Sequence, residues 1–301
     1  MIKKEGLGGI TATIIKDSIS EAGNRITTFE LEYHRFIHGE LMTHRMFSRN
    51  AMSSRAVPIQ KMIEQVKDEP ATPVHWGANQ SGMQAGTELN TMTQSVAKES
   101  WRDCSLLSCG MAEELQAIGL HKQIVNRVLE PFQMMKTIVT ATEYGNFFSL
   151  RCHADAQPEI RVLAEAMRDC MEESQPELLQ EGQWHIPYVE HTINGYHIID
   201  DLGKTLELDI ETALKISASC CAQVSYRLLD NSLDKALMIY NKLIESKPCH
   251  ASPFEHQAKV MGEGVHNSLF GNWQDGITHL DRDMNVWSGN LKGWIQHRQL
   301  M

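Results

Sequence analysis

The sequence predicts an α+β fold, in which separate helices pack against an antiparallel or mixed sheet. Residues Thr27 to Tyr33 alternate between apolar and polar side chains, the period of two that is typical of a half-buried strand. Residues Lys136 to Tyr144 are rich in β-branched side chains and predict a second strand. Because segments with helical spacing lie between and after these strands, the pattern favours mixed helices and strands within one domain.

Three helices are predicted from apolar residues at helical spacing. Their expected ranges are Trp101 to Ile118, Ile160 to Met171, and Leu233 to Ile244. Gly119 follows the first helix, Asp155 and Pro158 mark the start of the second, and Ser232 is positioned to cap the third. Arg151 is therefore expected in the turn that leads from the second strand into the second helix.

Composition restricts the function and the location of the chain. A length of 301 residues suits one domain over 1–301, and no low-complexity linker divides it. The net charge of −10 argues against a nucleic-acid partner, which would require a basic surface. No long apolar run or secretory signal is visible, so we expect no membrane partner and a cytoplasmic protein, or one of the host cytoplasm if the chain is viral. The seven cysteines, including Cys104, Cys109, Cys220 and Cys221, lack disulfide-framework and zinc-ligand spacing, which predicts buried thiols and no metal.

The segment Met42 to Arg55, MTHRMFSRNAMSSR, is called the signature segment below. It combines one imidazole with three guanidinium groups and three serine hydroxyls. Guanidinium groups and short hydroxyls are suited to phosphate, whereas a solvated basic surface is the structural alternative. A helix that breaks into a loop near Asn50 would aim His44 and Ser48, and then Ser53 and Arg55, at one ligand.

Two blocks of the sequence resemble the flavin-dependent thymidylate synthases, in a phage-type or permuted form. The pattern HRxxSxNxxSxR, from His44 to Arg55, is similar to the family signature RHRxxSxNExSxRY, with Thr43, Ala51 and Ala56 as departures. The block Asn146 to Ile160, NFFSLRCHADAQPEI, resembles the second signature, NFLNLRxDxHAQxEI. In addition, Arg127 in RVLEP occupies the place of a nucleotide-binding arginine of the family.

The resemblance implies reductive methylation of dUMP to dTMP, with FAD as cofactor and NADPH and methylenetetrahydrofolate as co-substrates. It implies that Arg151 is catalytic, because it would stabilise negative charge on the pyrimidine. The implied substrate-binding residues are Ser53, Arg55, Arg127 and Arg151. The implied cofactor-binding residues are His44, Arg45, Asn146 and His256.

Two further elements resemble family sequences but occupy a different position in the chain. These elements are SPFEH, at Ser252 to His256, and VSY, at Val224 to Tyr226. In the usual family the corresponding elements precede the arginine motif, whereas in this chain they follow it. The C-terminal part, about 205–301, therefore looks permuted or partly duplicated, with Trp294 to Arg298 as a possible second copy of the strand-and-helix unit at Leu41 to Arg45. Family members are usually homotetramers, and a duplication would allow a dimer.

The departures from the family pattern leave the product open. Asp155 stands where the family usually has a histidine, and Thr43 and Ala51 each remove a charged group. One alternative is a hydroxymethylase that yields 5-hydroxymethyl-dUMP or acts on dCMP, and another is a catalytically inactive nucleotide-binding homologue. The three arginines retained at the matched positions favour an enzyme. The Gly- and Pro-rich segment Pro70 to Gly86 is interpreted either as a substrate-covering loop or as a surface excursion.

Overall fold

The computed structural model describes residues 1–193, 195–199, 203–225, 232–262 and 273–301. The α-helices of these residues are α1 (His38–Leu41), α2 (Ile59–Asp68), α3 (Thr91–Ala117), α4 (Lys122–Val125), α5 (Gly145–Arg151), α6 (Pro158–Glu173), α7 (Ile210–Ala222) and α8 (Leu233–Glu245). The strands of the first half are β1 (Lys3–Glu5), β2 (Thr11–Ser20), β3 (Arg25–His34), β4 (Ser48–Ala51), β5 (Met134–Ala141) and β6 (Glu177–Leu179). The remaining strands are β7 (Trp184–His185), β8 (Glu190–Thr192), β9 (Gly195–Ile199), β10 (Thr205–Leu208), β11 (Ala258–Val260), β12 (His279–Leu280), β13 (Val286–Ser288), β14 (Leu291–Lys292) and β15 (Trp294–Gln296).

The largest sheet has the strand order β1-β2-β3-β5-β4, with β6 added to the edge of β2. β6 pairs with β2 in parallel, whereas the other neighbours are antiparallel. The predicted α+β class with a mixed sheet is therefore confirmed. Both predicted strands exist, as β3 and β5, and β5 ends at Ala141 rather than at Tyr144.

One face of this sheet, the α6 face, carries the main hydrophobic core. Phe29 and Leu31 of β3 point to this face and pack with Ile160, Leu163 and Met167 of α6, all fully buried. Helix α6 has Pro158 at its N-terminus, where a missing N–H is tolerated, as the sequence predicts. Burying one such side chain contributes roughly 1.5–3 kcal/mol, so this interface supplies much of the stability of the domain.

The opposite face, the C-terminal face, is covered by later parts of the chain. Trp294 of β15 is fully buried there with Ile26, Leu179 and Leu291. The antiparallel sheet β15-β11-β7 forms this cover. The two layers are joined by this apolar cluster and by buried polar contacts, because Thr28 Oγ1 lies 2.8 Å from His185 Nε2 and Thr140 Oγ1 lies 2.8 Å from His256 Nδ1.

Helices α2 and α3 form a separate apolar cluster with the 3-10 helix Asn126–Phe132. Helix α3 begins ten residues before the predicted start, and Asn90 caps it by accepting a bond from the Thr93 amide at 3.0 Å. Its first ten residues have no apolar stripe, which is why periodicity missed them. The predicted stop is confirmed, since Gly119 follows with a φ of +85°.

Three expectations about local structure are wrong. The signature segment is not helical from His44 to Ser48, because α1 ends at Leu41 and Ser48 begins the edge strand β4. Cys104 is exposed on α3, although Cys109, Cys220 and Cys221 are buried free thiols. Leu41 to Arg45 is the end of helix α1 and a turn, whereas Trp294 to Arg298 is strand β15 followed by the start of a 3-10 helix, so the two segments do not share a local structure.

Tyr226, the last residue of the VSY element, lies outside the described residues. Within the described part of the chain, no helix has both the length and the apolar character needed to cross a membrane.

Candidate functional site

Arg151 and His44 form the direct link between the two signature blocks. Arg151 is the last residue of α5, the short helix that fills the predicted turn between β5 and α6. Its Nε donates to His44 Nε2 at 2.9 Å, and its Nη2 donates to Thr43 Oγ1 at 3.3 Å. Because a guanidinium only donates, His44 Nε2 must accept, and the neutral ring carries its proton on Nδ1.

The environment of His44 favours this neutral form. Burial, followed by the positive charges of Arg151 and Arg49, lowers the pKa of His44 to about 4. The ring also packs edge-on against Phe147, with the ring centroids 4.8 Å apart. His44 therefore acts at neutral pH as a fixed acceptor that orients the Arg151 guanidinium.

Arg49 holds the turn on which His44 is carried. Its Nη1 donates to the carbonyl oxygens of Met42, at 2.8 Å, and of His44, at 3.3 Å. Burial lowers the pKa of this half-buried guanidinium. The family signature did not indicate Arg49, because any residue is allowed at that position of the pattern. The charged side chain within the signature segment could have indicated it.

Glu40 is a second residue that the sequence did not indicate. Burial raises the pKa of its carboxyl; the charge of Arg151 opposes this shift and Glu159 adds to it. Glu40 Oε2 is buried without a hydrogen-bond partner among the described residues. Glu159 in turn accepts from the Val74 amide at 2.9 Å, so the first residues of the Pro70 to Gly86 segment lie beside Glu159.

A second group of predicted residues lies where the signature segment ends. Asn126 Nδ2 donates to the carbonyl oxygens of Ser54, at 2.6 Å, and Val57, at 3.0 Å, and so ties the loop after β4 to the 3-10 helix that carries Arg127. Glu130 Oε1 accepts from Arg127 Nη1 at 2.7 Å. Arg55 next to Ser54 is exposed, and the side chain of Arg127 is 54% exposed. The loop that carries Ser53 and Arg55 therefore lies against the 3-10 helix that carries Arg127.

Arg35 and His38 add charged and polar groups to these two sets of residues. Glu130 Oε1 also accepts from Arg35 Nη2 at 2.8 Å. Burial lowers the pKa of His38, and the positive charges of Arg35 and Arg49 lower it further. His38 Nδ1 lies 2.8 Å from Tyr33 Oη. Arg35 and Arg127 share Glu130, and Arg49 and Arg151 both bond to His44; these four arginines are called the arginine band.

The arginine band provides an electrostatic setting for an anion. Guanidinium groups bind phosphate and carboxylate through two parallel hydrogen bonds, and several of them concentrate positive potential in a chain whose net charge is −10. No cluster of three His, Cys, Asp or Glu side chains that could hold a metal ion occurs in the described ranges.

The predicted cofactor contacts are divided by the sheet. Arg45, in the turn after α1, and Asn146, in the first turn of α5, are exposed near His44 and Arg151. His256 is instead fully buried on the C-terminal face, where its Nδ1 lies 2.8 Å from Thr140 Oγ1. The sheet therefore separates His256 from His44 within one chain.

Ser48 and Asn50 also point away from His44. Their partners in the antiparallel pairing are Thr140 and Ile138, whose side chains lie on the C-terminal face. Ser48 Oγ bonds to Asn290 Oδ1 at 3.1 Å, and Asn50 Nδ2 donates to the Cys221 carbonyl at 3.1 Å. The common face expected for His44 and Ser48 is not formed, because strand alternation sends these side chains to the opposite side of the sheet.

Residues 23–177 match the model of the family described as thymidylate synthase complementing protein (Thy1), which is the flavin-dependent thymidylate synthase family. This range contains both signature blocks and Arg127. The chain belongs to this family.

Two crystal structures of a UMP/dUMP methylase, PolB from Streptomyces cacaoi, are similar to this chain, one bound with 5-Br UMP and the other with 5-Br dUMP. Each has 18% identity and a TM-score of 0.45, and the match covers 55% of this chain and 89% or 90% of PolB. A search of curated protein sequences finds no match.

Proposed function

We propose that this protein is a flavin-dependent thymidylate synthase, which converts dUMP to dTMP with methylenetetrahydrofolate, FAD and NADPH. The observation that carries the proposal is the 2.9 Å bond from Arg151 to His44, which joins the two family signatures in one site. Membership of the family supports the same reaction. The exposed residues Arg55 and Arg127 are suited to bind the phosphate of the nucleotide.

The geometry supports a defined direction for the nucleotide along the arginine band. Ser53, Arg55 and Arg127 would bind the phosphate, because Asn126 ties the loop that carries Ser53 and Arg55 to the helix that carries Arg127, and these side chains are charged and hydroxyl donors. Arg151 would then contact the pyrimidine at the other end of the band. Its positive charge stabilises the negative charge that develops on the ring when C5 becomes nucleophilic.

His44 is a positioning residue for Arg151 in this reaction. Its neutral imidazole accepts the Nε–H bond while Thr43 Oγ1 accepts from Nη2, and the two bonds together fix the orientation of the guanidinium. Preorganised donors act without reorganisation during the reaction, and removal of one costs roughly 10²- to 10³-fold in kcat in related electrostatic sites.

Part of the predicted set fits a flavin. Arg45 and Asn146 are exposed donors that adjoin His44 and Phe147 in the chain, whose rings pack on each other, and an arginine and an amide suit the phosphates and the ring edge of a dinucleotide. His256 does not reach this place in a single chain, because it is buried on the C-terminal face. When bound, the reduced flavin supplies the hydride that completes the methyl group.

The hydroxymethylase alternative depends on the altered polar groups. Thr43 replaces a family arginine and accepts a bond from Arg151, while Ala51 provides no carboxylate on the α6 face. A site with different polar groups discriminates differently between transition states. Analysis of the product therefore decides between dTMP, 5-hydroxymethyl-dUMP and a product of dCMP.

The test begins with the visible absorbance of the protein reconstituted with FAD and titrated separately with dUMP and dCMP. The proposal expects a flavin band that shifts on addition of dUMP, and dTMP in a subsequent reaction with methylenetetrahydrofolate and NADPH. Arg151→Ala should retain flavin and lose turnover, while the matched control Arg168→Ala, on the outer surface of α6, should retain both. Failure of the wild-type protein to take up FAD would refute the enzymatic proposal, and nucleotide binding without turnover would favour the inactive homologue.

We also propose that the C-terminal part contains the displaced family element. Its support is spatial, since the Glu255 carbonyl of SPFEH and the Ser48 hydroxyl of the signature segment both accept from Gln296 Nε2, at 3.3 and 3.2 Å. SPFEH thus lies beside the segment that it precedes in the usual family. The test is a circular permutation that places residues 205–301 before residue 1. The permuted chain should fold and bind dUMP, and a permuted chain that does not fold would contradict the proposal.

We propose further that the protein is a homo-oligomer, as its family usually is. Exposed apolar residues support this, because they lie opposite the buried side of α3: Val96, Leu107 and Met111 in the helix and Ile118 at its C-cap. Light scattering after size exclusion tests the proposal, and a monomer at micromolar concentration would contradict it.

A further inference from the structure

Three carbonyl oxygens of the turn that carries His44 are held by side chains. Arg49 binds the carbonyls of Met42 and His44 from within the signature segment. The carbonyl of Met46 accepts from Asn290 Nδ2 at 2.8 Å, and Asn290 lies far along the chain, between β13 and β14. A turn without repeating backbone bonds depends on such side-chain contacts for its shape.

Asn290 is itself fixed by a buried network. Its Oδ1 accepts from Gln296 Nε2 at 2.8 Å and bonds to Ser48 Oγ at 3.1 Å. Ser48 and Gln296 are 1% and 2% exposed. The backbone amide of Gln296 donates to Ser288 Oγ at 3.0 Å, so the network is anchored in the small C-terminal sheets. Buried polar networks whose members are paired make a local structure rigid.

We propose that Asn290, held by Gln296 and Ser48, is a positioning residue that sets the orientation of His44 and thereby of Arg151. The inference rests on the proposed function. It assigns a role to the segment Val286 to Gln296, which lies outside the 23–177 family match. It also explains why Ser48 faces the C-terminal side of the sheet: its hydroxyl connects the signature segment to Asn290.

The expected consequence is a defect in catalysis rather than in nucleotide binding. Loss of the bond to Met46 would let the turn relax and let water reach His44, while Ser53, Arg55 and Arg127 would still hold the phosphate. Asn290→Ala should therefore lower kcat roughly 3- to 10-fold, the range expected for one hydrogen bond, with little change in the KM for dUMP. If Asn290 had a purely structural role, the variant would yield less folded protein, but the folded fraction would keep the kcat of the wild type.

The deciding measurement is the titration of His44, followed by NMR of protein with isotopically labelled histidine. The His44 signal is assigned among the 14 histidines by its absence in His44→Gln. In wild-type protein the midpoint reflects the pKa of about 4, and in Asn290→Ala it should move upward as water enters. Asn241→Ala, an exposed change on α8, is the matched control and should leave the midpoint unchanged.

If Asn290→Ala does not fold, Ser48→Ala tests the same network by removing its hydroxyl. A folded variant of either kind whose His44 midpoint and kcat both equal those of the wild type overturns the proposal. Absence of dUMP turnover in the wild type would refute the proposed function instead, and the His44 titration would then decide the positioning role alone.

Discussion

Arg151→Ala should raise the pKa of His44, because the guanidinium lies 2.9 Å from the imidazole and repels a second positive charge. Arg151 is half-buried, so water screens the pair; two unit charges about 4 Å apart in water interact by about 1 kcal/mol. The expected shift is therefore on the order of one pH unit, upward from about 4. Burial, the larger cause, is retained, so the midpoint should stay below that of a free histidine.

The assay is the NMR titration of labelled histidine from pH 3 to pH 8, with far-UV circular dichroism at each end to establish that the variant is folded. Arg168→Ala removes the same charge from the outer surface of α6 and is the matched control. The reasoning is refuted if the His44 midpoint is the same in Arg151→Ala and wild type. A midpoint at the free-histidine value would show that the charge, not burial, caused the shift.

Three further predictions concern the phosphate end of the band, acid stability and the C-terminal layer. Arg127→Ala should raise the KM for dUMP roughly 10-fold with a smaller change in kcat, since it removes one charged donor; an unaltered KM would contradict the phosphate role. Burial lowers the pKa of His256 to about 3, so below pH 6.5 the unfolded chain binds a proton that the folded chain excludes, and stability falls as the pH falls. His256→Gln should reduce that loss by up to about 1.4 kcal/mol per pH unit between pH 6.5 and 3, measured by urea unfolding, and an identical pH slope would exclude this role. Trp294→Ala should cost about 3–5 kcal/mol in the free energy of unfolding, because the ring is fully buried, whereas Trp273→Ala at an exposed position should cost much less; equal losses would argue against the packing.

Local pattern was sufficient for the elements with a clear period. The alternation from Thr27 to Tyr33 predicts β3, and apolar spacing with Pro158 predicts α6, because each element buries one face against the other. The C-terminal strands could not be predicted in this way. Several of them contain two or three residues, too few to show a period, and they exist because they pair with one another over the sheet.

The sequence by itself determined which chemical groups the site contains. The spacing of His44, Ser53 and Arg55, together with the block around Arg151, identified the family and its arginines from residue types alone. Only the tertiary structure decided how these groups meet. His44 and Arg151 are 107 residues apart, and the bond between them depends on the packing of α5 and the turn after α1, which no local propensity specifies.

The tertiary structure also decided which side of the sheet each residue serves. Ser48 and His44 are close in the sequence, but strand alternation in β4 sends Ser48 to the C-terminal face. His256 looked equivalent to the other motif histidines, and only the layer above the sheet shows that it is buried beside Thr140. The physical reason is that sequence carries the identity of a side chain, whereas its burial and partners follow from long-range packing that the whole chain forms together.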